Sequence, residues 1–359
     1  MGRFSHATTE GNACVTETYI IAEMAYSHDG SVDLAKQIIA DASVAGADAI
    51  SIHFTHMPDY MVRHYGAGPG RVSAGKDTQP IYDYLCEISP SFDDWATVVK
   101  SAKGRDLDVV VMPNDWPSLE FAETISPAAY VLSAACFEEY DFISAVGEKG
   151  RPVYLRVGGA TLGEMETVIA LLRKAGNQDI TLLYGHQNYP TGIADTNLNF
   201  LNCLKNTFGL PVGIADHIDA DQDFALIGPL LAIPMGITCI EKHITHDRAK
   251  KGEDFESALN GDELALLVTR VRQTEAALGL QFAEGLDESS ALYRKNVRKR
   301  LVAARDIKAG EVLGRQDITA KRADEGESPA RMDGFIDRKA AVDIAMDEGL
   351  QIEMLNTER

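Results

Sequence analysis

The stretch from Pro211 to Asp254 decides the fold, because it holds two short apolar runs that each end in charged residues. The runs read Val212-Gly213-Ile214-Ala215-Asp216-His217 and Cys239-Ile240-Glu241-Lys242-His243. Each predicts a buried parallel strand whose carboxyl end carries an acid and an imidazole, and that end faces the ligand in parallel α/β proteins. Neutral imidazoles on neighbouring strands could hold one divalent cation. The alternative is that both histidines only bond to loop carbonyls.

Side-chain alternation orders the second run further. Successive residues of a strand point to opposite faces, so Glu241 and His243 are predicted to share one face and Lys242 to point away from it.

Strand-like runs recur along the chain, each followed by a segment with apolar residues at helical spacing, such as 32–45 and 161–174. Eight such units over roughly 280 residues predict a (β/α)8 TIM barrel. The connection from Thr55 to Asp106 is unusually long and contains three glycines and a proline at 66–70, which predicts a lid over the barrel mouth. The eight predicted strands are 19–24, 49–54, 107–113, 129–134, 152–157, 180–185, 211–217 and 239–245.

Composition narrows the partners and the location. The 34 basic and 54 acidic residues give a net charge of −20, which argues against a nucleic-acid or anionic membrane surface. Five scattered cysteines without close pairing argue against a zinc knuckle or a disulfide framework. No signal peptide and no membrane-spanning apolar run is visible, so we expect a cytoplasmic protein that acts on a small molecule.

The pattern changes after residue 280. Residues 281–300 are polar and charged and predict a linker, whereas 301–359 predict a small all-β module with strands at 301–304, 308–311 and 340–344. The barrel domain would then span 1–280. A module of about sixty residues is small for an independent core, so we expect it to pack against something else.

Short motifs occur along the chain in one order and spacing. They are Ile20-Ile21-Ala22-Glu23, Ser27-His28-Asp29-Gly30-Ser31, Ala45-Gly46-Ala47-Asp48-Ala49, Tyr189-Pro190-Thr191, Asp216-His217, Glu241-Lys242-His243, Gly252-x-Asp254 and Arg305-Asp306-Ile307-Lys308-Ala309-Gly310-Glu311. Together they resemble the sialic acid synthase family over nearly the whole chain. Bacterial members of that family join an N-terminal barrel to a C-terminal antifreeze-like (SAF) domain and work as domain-swapped homodimers.

The resemblance implies a reaction and roles for individual residues. Family members condense phosphoenolpyruvate with an open-chain N-acylated amino sugar and release phosphate. By this resemblance His217 and His243 hold a divalent metal that polarises the aldehyde. Mn²⁺ or Mg²⁺ is expected, and another transition metal is the alternative. Glu23 is then a catalytic proton-transfer group. Asp247, which we also count as catalytic, and Asp254 orient acceptor hydroxyls, and Arg322 of the SAF domain binds the acyl group.

The phosphate-binding positions depart from the family pattern. Val131 replaces a lysine, and Met112, Ala134 and Ala215 stand where the family has hydroxyl or phosphate-binding groups. Burying a phosphate without cationic or hydroxyl partners is costly, so phosphoenolpyruvate is expected to bind poorly. Arg156 could clamp a carboxylate or phosphate, or it could form an outward-facing salt bridge. The other predicted substrate-binding residues near the mouth are His53, His186, Gln187 and Tyr189.

Three functions therefore compete. The first is a family-type synthase that joins an enolpyruvate-type donor to an open-chain amino sugar or a related aldehyde. The second is a repurposed member that performs metal-assisted aldol or lyase chemistry without phosphoenolpyruvate. The third is a non-catalytic ligand-binding paralogue, against which the presence of Glu23, His217 and His243 argues.

The resemblance predicts a homodimer in which residues 301–359 of one chain cover the barrel mouth of the other. Light scattering at micromolar concentration should give twice the monomer mass. Arg322→Ala should raise the KM for the acceptor without dissociating the dimer. A monomer, or full activity in the Arg322 variant, would contradict this arrangement.

Overall fold

The computed structural model describes residues 17–65, 80–279 and 285–356. The chain forms two compact units, Met1–Gln281 and Phe282–Arg359.

The first unit is a closed barrel of eight parallel strands in sequence order, which confirms the predicted fold class. β8 pairs with β1 and closes the barrel, with Glu23 directly beside His243. Six of the eight strands end one or two residues earlier than predicted; β2 has the predicted bounds, and β3 ends at Pro113 as predicted but begins one residue later. They are β1 (Tyr19–Glu23), β2 (Ala49–Phe54), β3 (Asp108–Pro113), β4 (Ala129–Ser133), β5 (Val153–Arg156), β6 (Ile180–Tyr184), β7 (Val212–Asp216) and β8 (Cys239–His243).

Helices follow the strands, and local sequence signals set their ends. Ser31 begins the first helix by accepting a hydrogen bond from the Leu34 amide, and Gly46 ends it in the left-handed region with φ 86°. The helices of the first unit are α1 (Val32–Ala45), α2 (Met57–Tyr60), α3 (Ile81–Ile88), α4 (Phe92–Lys103), α5 (Trp116–Ile125), α6 (Tyr140–Glu148), α7 (Leu162–Lys174), α8 (Asn199–Phe208), α9 (Gly228–Ala232) and α10 (Gly261–Leu278). None of the described helices is both long and apolar enough to cross a membrane.

Apolar side chains fill the barrel in two layers. The larger layer lies between strands and helices, and a smaller cluster with Ile21, Val110, Val131, Leu183 and Ala215 lies together on the other face of the strands. Val131, which the resemblance places at the position of a lysine, is fully buried in this smaller cluster. The interior is therefore a packed core beneath the mouth rather than a pore.

The long second connection contains α2 and α3, and their apolar residues form a separate cluster with Met57, Tyr84 and Leu85. The predicted lid centred on residues 66–70 lies outside the described residues.

Glycines let three strand ends approach one another at the mouth. A Cβ on Gly185, just after β6, would lie 1.9 Å from the Ala215 carbonyl oxygen, and one on Gly158, just after β5, would lie 2.0 Å from the Gly185 carbonyl oxygen. Both positions therefore require glycine for close backbone approach, which narrows the barrel next to His217.

The second unit pairs β9 (Lys299–Ala303) with β10 (Ile318–Arg322) in an antiparallel sheet around its own buried cluster, which includes Leu301, Ile318 and Phe335. The small module therefore has a buried cluster of its own, and the expectation that it packs against something else stays a prediction. The sequence analysis did not predict β10. The predicted strand at 308–311 is also wrong, because Gly310 has φ 86° and the segment turns. Residues 340–344 form only isolated bridges.

The predicted linker, 281–300, contains helix α11 (Glu288–Val297). The Asp287 side chain accepts a hydrogen bond from the Ser290 amide and begins this helix. Composition alone suggested a linker because the helix buries none of its residues. Because its surface is polar, the N-cap residue Asp287 was not recognised as the start of a helix.

Candidate active site

Arg156 occupies the centre of the barrel mouth, at the end of β5, and is 6% exposed. Its Nη2 bonds to Glu23 Oε2 and lies 2.9 Å from Glu241 Oε2, while Nε lies 3.3 Å from the same Glu241 oxygen. Its Nη1 lies 3.4 Å from His53 Nε2 and 3.7 Å from Met112 Sδ. The outward-facing alternative for Arg156 is therefore wrong, because its partners come from β1, β2, β3 and β8 across the mouth.

The two carboxylates that flank Arg156 differ in electrostatics. Burial alone would raise the pKa of Glu23, but Arg156 and His53 hold that pKa well below its usual range, so Glu23 is ionised. Its Oε1 lies 3.1 Å from His53 Nε2 and accepts the Ala25 amide at 2.8 Å. Burial raises the pKa of Glu241 to about 7, opposed by Arg156. Glu241 Oε1 is buried and has no hydrogen-bond partner among the described residues.

His217 and His243 face each other beside this cluster, with ring centroids 5.2 Å apart. Burial lowers the pKa of His217 to about 3 and the pKa of His243 well below its usual range, so both rings are neutral. His217 Nδ1 lies 2.9 Å from the His186 carbonyl, which can only accept, so the proton is on Nδ1 and the Nε2 lone pair is available. Neither ring nitrogen of His243 has a hydrogen-bond partner within the described part of the chain.

These imidazoles fit a divalent cation. The ring centroids lie 5.2 Å apart, the Nε2 lone pair of His217 is available, and a histidine whose second nitrogen donates to a carbonyl is typical of metal ligands. Within residues 17–65, 80–279 and 285–356, no group of three or more histidine, cysteine, aspartate or glutamate side chains is arranged to hold a metal. A cation here would therefore have two protein ligands and would take its other ligands from water or substrate.

Tyr189 covers the histidine pair. Its ring centroid lies 4.5 Å from that of His217 and 5.8 Å from that of His243. The Tyr189–Pro190 peptide bond is cis, and the tyrosine hydroxyl donates to Gln187 Oε1 at 3.0 Å. The ring shields one side of the imidazoles from water.

A cavity of about 330 Å³ opens beside Arg156, at the ends of β3 and β4. Met112 and Ser133 line the cavity and are also neighbours of Arg156. The remaining described wall carries three carboxylates and no basic side chain; it consists of Asp59, Tyr60, Pro113, Asn114, Asp115, Trp116, Ala135, Cys136 and Glu139. The resemblance predicted departures from a phosphate-binding pattern at Met112 and Ala134 near this cavity, and the negative charge of its described wall opposes a phosphate.

Asp254 lies in the loop after β8 and has φ 59°, in the left-handed region that aspartate and asparagine tolerate. Burial raises its pKa to about 7, with further contributions from Glu253, Glu23 and Glu256. Arg156 opposes this rise in the pKa of Asp254.

The side chains of the other predicted site residues make none of the described contacts with Arg156, Glu23 or Glu241. Asp247 accepts the Ala249 amide at 3.0 Å and begins a short helical turn. His186 is exposed and contributes its carbonyl rather than its ring, and Gln187 is exposed beside Tyr189. Arg322 ends β10 in the second unit and is exposed. Their predicted functional roles stay predictions.

Glu241 is the site residue that the sequence analysis did not select. Alternation had placed it on the same face as His243, and the structure shows this face: Glu241 meets Arg156, while Lys242 bonds to Asp216 on the other side. The signal was present, but without the position of Arg156 it did not indicate a partner.

Replacing Asp254 with asparagine should change the pH dependence of stability. In the unfolded chain the carboxyl titrates near pH ~3.9, whereas in the folded protein its pKa is about 7. Between these values the folded state binds a proton that the unfolded state lacks, so the native protein loses stability as pH rises. The Asp254→Asn variant has no carboxyl group at this position, so it does not lose stability in this way as pH rises.

The Tm of the variant minus the Tm of the native protein should therefore increase between pH ~5 and pH ~8, as measured by calorimetry. Asp106→Asn is the control for the backbone, because Asp106 is also left-handed, with φ 57°, and is exposed. A Tm difference that stays constant with pH would contradict the buried-carboxyl assignment.

Comparison with known proteins identifies the family. The NeuB family model matches residues 38–282, and the SAF domain model matches residues 298–356. The pseudaminic acid synthase of Campylobacter jejuni is 28% identical over 336 residues, which cover 93% of this chain and 96% of that protein. The N,N'-diacetyllegionaminic acid synthase of C. jejuni is 28% identical over 337 residues, 92% of this chain and 98% of that protein.

A solved structure supports the fold. The N-acetylneuraminic acid (sialic acid) synthetase of Leptospira borgpetersenii serovar Hardjo-bovis, in complex with citrate, is 24% identical, with a TM-score of 0.67 over 79% of this chain and 93% of that chain. The NeuB model covers well over half of the chain, beginning in α1 and ending after α10. This protein therefore belongs to the NeuB family and carries a SAF domain.

Proposed function

We propose that this chain is a synthase that forms a carbon–carbon bond between an enolpyruvate-type donor and the aldehyde of an open-chain amino sugar, with a divalent cation, Mn²⁺ or Mg²⁺, at His217 and His243. The observation that carries the proposal is the pairing of two neutral imidazoles with a buried carboxylate–arginine cluster at the carboxyl ends of the barrel strands. The names of the relatives support a sugar acid as the product.

The bound cation would supply Lewis-acid polarisation of the aldehyde carbonyl. The chain's own groups position the reactants and transfer protons. Both oxygens of Glu23 are occupied, by Arg156 on one side and by His53 and the Ala25 amide on the other. Glu23 therefore serves as a fixed negative charge that orients donors. Glu241 keeps Oε1 unoccupied within the described residues, so the geometry favours Glu241 over Glu23 as the proton-transfer group.

Removing either metal-site histidine should remove the cation. In His217→Ala and in His243→Ala, we expect Mn²⁺ content after dialysis to fall to background and activity to be lost, while circular dichroism is unchanged. His186→Ala is the matched control for Mn²⁺ content, because the hydrogen bond between His186 and His217 uses the backbone carbonyl of His186. A native protein that binds no Mn²⁺, and that chelators leave fully active, would refute the metal site.

Replacing Glu241 with glutamine should lower kcat by about 10²–10⁴-fold, the usual contribution of a positioned acid or base. The amide keeps the shape, and Glu23 still neutralises Arg156, so folding and Mn²⁺ content should be retained. Single-turnover rates with saturating substrates test this. A kcat within threefold of the native value would return the role to Glu23.

A second candidate is metal-assisted aldol or lyase chemistry with a donor that lacks phosphate. Two observations favour it: Arg156 already binds two carboxylates, and the neighbouring cavity adds three more. Each missing charge-assisted hydrogen bond is worth roughly 1.5–3 kcal/mol, so phosphoenolpyruvate binding should be weaker by orders of magnitude than an intact phosphate site would give.

Calorimetry in the presence of Mn²⁺ decides between the candidates. For the phosphate-free candidate, phosphoenolpyruvate should bind no more tightly than pyruvate, and inorganic phosphate should not compete. Micromolar, Mn²⁺-dependent phosphoenolpyruvate binding with phosphate release on adding an amino-sugar aldehyde would establish the family-type reaction instead.

A further inference from the structure

We propose that the buried ion pair between Lys242 and Asp216 is a positioning pair, which holds β7 and β8 so that His217 and His243 face one cation. This inference rests on the proposed metal site and assigns a task to residues outside the site itself. Lys242 Nζ lies 2.5 Å from Asp216 Oδ2, and both side chains are at most 1% exposed.

Asp216 and Lys242 are next in sequence to the site residues at the ends of β7 and β8. Asp216 and Lys242 are direct neighbours in the strand register. Asp216 immediately precedes His217, and Lys242 lies between Glu241 and His243. Because side chains alternate, the ion pair lies on the face opposite the imidazoles and can fix the strands without occupying the substrate space.

Lys242 holds the backbone of His217 from both sides. Its ammonium group bonds to the Asp216 side chain before His217 and donates to the Ile218 carbonyl after it, at 3.3 Å. The peptide unit that carries the first imidazole is thereby tied to the residue next to the second. No other side chain among the described residues makes this pair of contacts across β7 and β8.

Loop contacts hold the backbone carbonyls of both histidines, and the Leu259 amide donates to the His243 carbonyl at 2.9 Å. The His217 carbonyl accepts the Thr191 amide at 2.7 Å and the Ser257 hydroxyl at 2.8 Å. These bonds fix the backbone of each histidine, and the backbone ladder fixes the spacing of the two strands. The ion pair adds a side-chain contact that joins β7 and β8 at the level of the site.

A merely structural pair and a positioning pair respond differently to apolar replacement. Removing one partner leaves a buried charge, which destabilises the fold in either case. Replacing both partners by apolar residues of similar size often restores stability. If the pair only stabilises the fold, such a replacement restores its function. If the pair positions the histidines, the replacement does not, because the bonds from Lys242 to Asp216 and Ile218 are still missing.

The test compares Lys242→Met/Asp216→Leu with the native protein, with Mn²⁺ as the probe. We expect a melting temperature close to that of the native protein and a Mn²⁺ Kd raised at least tenfold, as expected for lost support of metal ligands. Arg272→Met is the matched control, because it breaks an ion pair with Asp48 at the opposite end of the barrel. It should leave the Kd unchanged.

If the double variant is not folded by circular dichroism, Lys242→Gln/Asp216→Asn takes its place, since it also avoids an unpaired buried charge, and a Kd raised at least threefold is then expected. An unchanged Kd in a folded variant overturns the positioning role. A native protein without Mn²⁺ binding refutes the proposed function instead. In that case a crystal structure of the variant still tests the pair, because a ring-centroid separation that remains at 5.2 Å would refute it.

Discussion

The guanidinium of Arg156, buried between the carboxylates of Glu23 and Glu241, is the interaction on which the barrel mouth depends. An isolated buried guanidinium or carboxylate would cost several kcal/mol, and the cluster compensates this only through its mutual hydrogen bonds. It connects β1, β5 and β8 across the mouth. Each of the three strands therefore contributes a charge that the other two require.

The two histidines differ from the carboxylates in being uncharged. Burial next to Arg156 and Lys242 disfavours a proton on His217, so its ring stays neutral where the carboxylates stay charged. The two groups are adjacent, because Glu23 and His243 are register partners on β1 and β8. Fixed charge and available lone pairs are thus held side by side in one water-poor site, where electrostatic interactions are strong.

The sequence predicted what depends on local pattern and missed what depends on distant partners. Eight apolar runs predicted the barrel, and alternation placed Glu241 beside His243. The partners of Arg156 are 133 and 85 residues away in the chain, and no local pattern encodes such contacts. Helix α11 was missed because it buries nothing, and the turn at 308–311 was misassigned because Gly310 interrupts a strand-like composition. The histidine pair was predicted because its residues end neighbouring strands.

The positions at which this chain departs from the family pattern act as one electrostatic change. By the resemblance, a family lysine is replaced by Val131 on β4, while Arg156 on β5 brings a cation to the mouth. The two are not equivalent, because the new cation is neutralised by Glu23 and Glu241, and the adjacent cavity is acidic. The protein side of the mouth therefore offers no net positive charge to a phosphate. Neutral imidazoles leave the charge of a bound cation undiminished, so among the described groups of this cluster that cation would supply the positive potential that a substrate meets.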